Sequence, residues 1–165
     1  MSTEWVTIMP NMGRIDHRLP PVGIEHLFRD PHKDLPVELI VNSDHVDAKR
    51  QRWSISWTVG SSSDGHRIHR VLQVVREVEF GHYSNWGPIT RVFEPVQRKV
   101  IPITTLNLAQ RKALEDIASS AEVPVPGAEW NCQDWVVEVL HRAVKGGLMA
   151  TEQVDRALRE ARRSS

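Results

Sequence analysis

Apolar and polar positions alternate along one part of the chain and recur at helical spacing along another. From Arg52 to Val59, Trp53, Ile55, Trp57 and Val59 alternate with Arg52, Ser54, Ser56 and Thr58. A period of two predicts a half-buried strand. Val37 to Val41 predicts a shorter strand, and the polar stretch Asn42 to Gln51 predicts a loop between them. Gly60 to Gly65 has the composition of a turn. His66 to Phe80, rich in Val71, Val74, Val75 and Val78, then predicts a second strand that closes an antiparallel hairpin. Gly81 to Pro88 reads as another turn. Ile89 to Phe93 and Val96 to Ile103 read as strands, with Pro95 and Pro102 at edges or ends.

Past residue 103 the period lengthens. Thr105 is placed to cap a helix reaching about Ala121, with Leu106, Ala109, Ala113, Leu114 and Ile117 inward. Pro124, Pro126 and Gly127 make a rigid connector. Asn131 then opens the strongest helix, because its side-chain oxygen can accept a bond from a first-turn amide. Cys132, Trp135, Val136, Val139, Leu140 and Ala143 form its apolar face, and Gln133, Asp134, Glu138, Arg142 and Lys145 lie opposite. Gly146 and Gly147 end it. A last helix follows a Thr151 cap, with Val154, Leu158 and Ala161 at helical spacing. Before all this, Pro10, Pro20, Pro21, Pro31 and Pro36 interrupt residues 1–36. The expectation there is an arm held by Trp5, Ile8, Leu27 and Phe28, with a short strand from Trp5 to Met9 and one helical turn from Gly23 to Arg29. His17, His26 and His32 of this arm read as solvated loop residues. The whole is one domain over 1–165: an arm (1–36), a strand region (37–103) and a helical region (104–165). Strands first and helices after predict an α+β fold, an antiparallel sheet with helices packed on one face.

Charge narrows the function. The 21 basic residues balance 21 acidic ones, so no dominant positive field marks a nucleic-acid or membrane-surface binder. No apolar run is long enough to span a bilayer. The N-terminus has no secretory pattern, and a lone cysteine rules out an internal disulfide framework, so a reducing, cytoplasmic setting is expected. Six tryptophans against one tyrosine hint at an aromatic-lined cleft, for which Trp53 and Trp135 are the candidate lining residues. No pattern calls for a cofactor. Asp64, His66 and His69, with Asp44 and His45 near, make a poor metal set. On a strand His66 and His69 point to opposite faces.

Cys132 carries the candidate chemistry. It points inward at the positive end of a helix, where a thiolate is favoured and the thiol pKa is lowered. A cysteine on an apolar face also reads as an ordinary core residue. Choosing between these needs a histidine base brought from elsewhere in the fold.

The run Asn131-Cys132-Gln133-Asp134-Trp135-Val136, with Trp53-Ser54-Ile55 on the strand before it, resembles the circularly permuted papain-like cysteine proteins. These are the NlpC/P60 superfamily, including its lecithin retinol acyltransferase-like group. The resemblance spans roughly Arg52 to Val144. It implies a permuted papain-like fold and a cysteine nucleophile at Cys132. It also implies a histidine base just before the strand tryptophan and an orienting polar residue on the next strand, where His69 stands. The implied activity is that of a hydrolase or acyltransferase working on an ester, thioester or amide carbonyl of a small-molecule or peptide substrate. One departure matters: Arg52 occupies the position of the base, and arginine stays protonated and cannot accept a proton. His69, or else His45 or His82, would then serve as base. Arg52 would stabilise a thiolate or hold a substrate carboxylate or phosphate, with Asn131, Gln133 and Asp134 as local support. Without any base, the domain would be a non-catalytic interaction or ligand-binding relic of the same fold.

Overall fold

A computed structural model describes residues 7–15, 18–77, 79–93, 96–126 and 129–163. Five strands form the main sheet: β1 (Leu35–Asn42), β2 (Arg52–Ser61), β3 (Arg67–Leu72), β6 (Ile89–Val92) and β7 (Arg98–Leu106). A separate two-stranded ribbon pairs β4 (Val75–Glu77) with β5 (His82–Ser84). The main sheet runs β6-β3-β2-β1-β7 and every ladder in it is antiparallel. Three helices follow: α1 (Leu108–Ser120), α2 (Cys132–Lys145) and α3 (Thr151–Arg162).

Alternation sends one set of strand side chains into the core. Val37, Leu39 and Val41 of β1, Trp53, Ile55 and Trp57 of β2, and Ile101 and Ile103 of β7 join the buried faces of all three helices there. The α+β layout with helices on one face is therefore present. α2 buries the six side chains its periodicity predicts. Asn131 caps it by accepting from Gln133 N at 2.9 Å, while Asp134 Oδ2 accepts from Asn131 N at 2.9 Å. Gly147, at φ +78°, supplies the left-handed residue at its end. Among the described residues no helix is long and apolar enough to cross a membrane.

Several expectations need correction. The valine-rich run 66–80 is not one strand. β3 stops at Leu72, and the chain leaves the sheet before pairing again as β4 with β5 inside the expected 81–88 turn. Thr105 does not cap α1, because β7 continues to Leu106 and Asn107 takes that role, bonding Gln110 N at 2.9 Å. Ala109 is exposed, whereas Arg111 is fully buried. α3 starts at Thr151, but no side chain caps it from the N-cap position. The Gln153 side chain instead accepts from Ala150 N at 2.9 Å.

Among the described residues, polar groups as well as Met9 fasten the arm. Trp5 and His17 lie outside the described residues; Ile8 and Leu27 are exposed, and Phe28 is half-buried. Of the expected strand at 5–9, residues 5 and 6 lie outside the described residues, and the described part makes an isolated Ile8–Pro124 bridge. A turn does form near residues 25–27, with Phe28 N donating to Ile24 O at 3.1 Å. Beyond it, Asp30 forms an ion pair with buried Arg111 at 2.8 Å and accepts from Trp57 Nε1 at 3.0 Å.

Candidate functional site

The start of α2 faces a cleft of about 640 Å³ built from three stretches of chain. The loop before β2 contributes His45, and the first residue of β2 contributes Arg52. The β4–β5 ribbon contributes Arg76, His82 and Tyr83. The connector contributes Trp130, and α2 contributes Cys132. Cys132 is only 6% exposed and forms part of the cleft wall.

Local hydrogen bonds explain why these segments meet. Gln133 Nε2 donates to Ala48 O and Gln51 O, both at 2.8 Å, and Asn131 Nδ2 donates to Lys49 O at 2.9 Å. The first residues of α2 thus clasp the 3-10 turn Ala48–Arg50 that leads into Arg52. β2 begins beyond the reach of β3, whose ladder opens at Ile55, so Arg52 and Trp53 have β1 on one side only. The backbone amides of Trp53, Cys132 and Gln133 act on the Cys132 thiol.

Burial nonetheless pushes the Cys132 thiol up, and the three amides and the Arg52 charge only partly oppose it. The lowered pKa expected from the helix end is therefore not what the site produces. The helix-end field is modest, and desolvation of a thiolate inside the core outweighs it. Arg52 itself is largely exposed and pairs with Asp44 at 3.5 Å.

His69 does not accompany Cys132. It lies opposite Thr58 on β3, so it shares a face with Ser56 and Thr58, while Trp53, Ile55 and Trp57 point to the helices. Its Nδ1 meets Ser56 Oγ at 2.6 Å and its Nε2 meets Thr58 Oγ1 at 3.0 Å. Phe93, in the connection that joins the two edge strands, stacks on the ring at 3.9 Å. Burial, with the charges of Arg67, Arg98 and Arg91, lowers its pKa to about 4. It is a neutral, doubly hydrogen-bonded residue on the sheet face away from α2.

His45 and His82 do line the cleft. His45 Nδ1 accepts from Asp47 N at 3.1 Å, which commits that lone pair. His82 is buried, and its Nε2 meets the Gly13 carbonyl at 2.8 Å. A carbonyl only accepts, so Nε2 carries a proton and Nδ1 is the ring nitrogen left to act as an acceptor. Gly13 can come this close because it has no side chain; a Cβ there would collide with Tyr83 O.

Trp53 and Trp135 are core residues, 3% and 1% exposed, and neither lines the cleft. Trp135 Nε1 donates to Ala121 O at 3.1 Å. The aromatic wall is Trp130 and Tyr83, packed edge to face at 5.6 Å. Burial and the neighbouring Cys132 push the Tyr83 phenol up, while Arg76 and the Cys132 amide oppose the shift. Tyr83 is the chain's only tyrosine, and no local pattern in the sequence marks it as a cleft residue. No cluster of His, Cys, Asp or Glu suited to a metal occurs among the described residues.

The fold and site define an α+β domain with a buried cysteine in the wall of a cleft at the start of α2. Residues 38–150 match a family of unknown function (DUF6540), and the chain belongs to that family. No curated protein and no solved structure matches it.

Proposed function

We propose that the domain is a cysteine-dependent hydrolase or acyltransferase of permuted papain-like type, with Cys132 as nucleophile. The observation that carries this reading is Cys132 in the cleft wall at the start of α2, where the backbone amides of Trp53, Cys132 and Gln133 favour its thiolate against burial. Position 52, where the resemblance puts a base, lines the same cleft. Arginine there offers charge but no lone pair.

His82 is the base in this scheme, acting through Nδ1. It takes the Cys132 proton as substrate enters, and the sulfur attacks the acyl carbon. The C–S bond forms and the carbonyl electron pair moves onto oxygen, which the helix-start amides stabilise. The bond to the leaving alcohol, thiol or amine then breaks, and the leaving group departs with the proton held by His82. Water, or an acceptor amine, attacks the thioester, loses a proton to His82, and the sulfur leaves with a proton restored.

The test is incubation with a small aryl thioester, read by intact mass. Expected is an acyl adduct on Cys132 that decays with turnover, is absent in Cys132→Ala, and forms about a hundredfold or more slower in His82→Gln, the size usual for a lost general base. His45→Gln should change the rate little. Absence of any adduct overturns the proposal. The second reading, a non-catalytic binding domain, is favoured by the raised thiol pKa and by the lack, among the described residues, of a hydrogen bond from an imidazole to the sulfur. An adduct that forms but never turns over would select it.

A further inference from the structure

The chain carries no net charge, but its cleft does. Lys49, Arg50, Arg52 and Arg76 line it, and Glu129 is the only carboxylate among the lining residues. Asp44 partly offsets Arg52 from outside, at 3.5 Å across an exposed pair, which is a weak interaction. Arg52 acts electrostatically on the Cys132 thiol, and Arg76, opposed by Asp134, acts on the Tyr83 phenol, so these two cations of the lining are felt at side chains of the cleft wall. A concave site lined mostly by one sign of charge focuses its field and concentrates ligands of the opposite sign. Guanidinium groups also match carboxylate and phosphate oxygens in pairs.

We infer that the cleft recognises a substrate bearing an anionic group, a carboxylate or a phosphate, held by Arg52 and Arg76 with Lys49 and Arg50 at the rim, so that an acyl carbon lies at Cys132. The inference names the substrate class for the reading above and rests on it, but the anion site has a test of its own.

The test compares iodoacetate with iodoacetamide as alkylators of Cys132. In both, the thiolate displaces iodide and a C–S bond forms. The two differ by one negative charge, and both need the same thiolate, so the ratio of their rates is independent of the Cys132 pKa. At low salt that ratio should exceed the ratio for N-acetylcysteine by about tenfold, the lower end of the gain from electrostatic focusing. It should fall to within about twofold of that reference near 0.5 M NaCl, where the screening length is only a few ångströms. It should fall likewise in Arg52→Gln and in Arg76→Gln, both exposed positions whose replacement leaves the core untouched. Inorganic phosphate and acetate, added separately, distinguish the two chemistries: the one that protects Cys132 from iodoacetate at lower concentration identifies the preferred group. A low-salt ratio equal to that of N-acetylcysteine overturns the inference, as does a high ratio that survives both substitutions, or protection by neither anion. A tenfold ratio without acyl turnover would remove the enzyme and leave the anion site standing. Turnover with an unbiased ratio would do the reverse.

Discussion

Acidification should weaken this fold through His69, by an amount that follows from its surroundings. The ring is 1% exposed, hydrogen-bonded at both nitrogens by hydroxyls and stacked on Phe93. Its pKa falls from 6.5 to about 4. Between those values the unfolded chain binds a proton that the native state refuses, so stability rises with pH across the window and is lost as pH falls through it. Each pKa unit corresponds to about 1.4 kcal/mol, so the loss should reach about 2 kcal/mol by pH 5 and about 3 kcal/mol by pH 4. Glu38 acts oppositely, because burial raises its carboxyl pKa despite Arg67, and the stability it contributes is lost as pH rises. The comparison is therefore between the wild type and His69→Gln, which keeps Glu38 and removes only the imidazole. Urea unfolding at pH 7, 6, 5 and 4 should show the stability gap between the two proteins closing as pH falls. The His69 ring protons should show no titration by NMR above pH 5. A midpoint between 6 and 7, or a constant gap, would refute the burial argument and return His69 to the list of bases.

Two further outcomes test how the site is held. Arg111→Leu should cost about 3–5 kcal/mol in urea unfolding at pH 7, because it leaves Asp30 as an uncompensated, largely buried charge and strips donors from the carbonyls of Pro31, Lys33 and Leu106; a loss below about 1 kcal/mol would mean that the arm is not docked there. Asn131→Ala should cost about 1 kcal/mol by removing the α2 cap. It should also speed proteolysis within residues 45–52, since Asn131 Nδ2 holds Lys49 O; an unchanged cleavage rate would show that Gln133 holds the loop alone.

What could be read from the sequence was what neighbouring residues decide. α2 was legible because its cap, its apolar stripe and its terminal glycines all lie within one short segment. β2 was legible because alternation is local. The valines of 66–80 carry no sign of where one partner strand is exchanged for another, so the break at Leu72 was hidden. Arg111 sits beside Lys112 in a polar stretch, and its burial depends on Asp30, far away in the chain. Alternation says that His69 and Val71 share a face; only the register with Thr58 says which face that is. The cations of the cleft come from two distant stretches, β4 and residues 49–52 at the entry to β2, so the neutral total concealed them.

The relation between the proposed base and the nucleophile is set by groups that touch neither substrate nor sulfur. Asn85, just past β5, is buried; its Nδ2 donates to Ala118 O at 2.8 Å and Ala121 O at 3.0 Å, at the end of α1. The same Ala121 carbonyl accepts from Trp135 Nε1, one turn into α2. One backbone oxygen therefore binds the segment carrying His82 to the helix carrying Cys132. The arm adds a second restraint on β5: Asn85 N donates to Met12 O at 2.8 Å, and Arg14 Nε donates to Asn85 O at 2.7 Å. Between those contacts, Gly13 O fixes the ring of His82. A buried, fully satisfied polar node of this kind tolerates little shift, since each lost partner leaves a desolvated group. The arm, irregular by composition, is thus the element that determines which nitrogen of His82 is left to act as an acceptor.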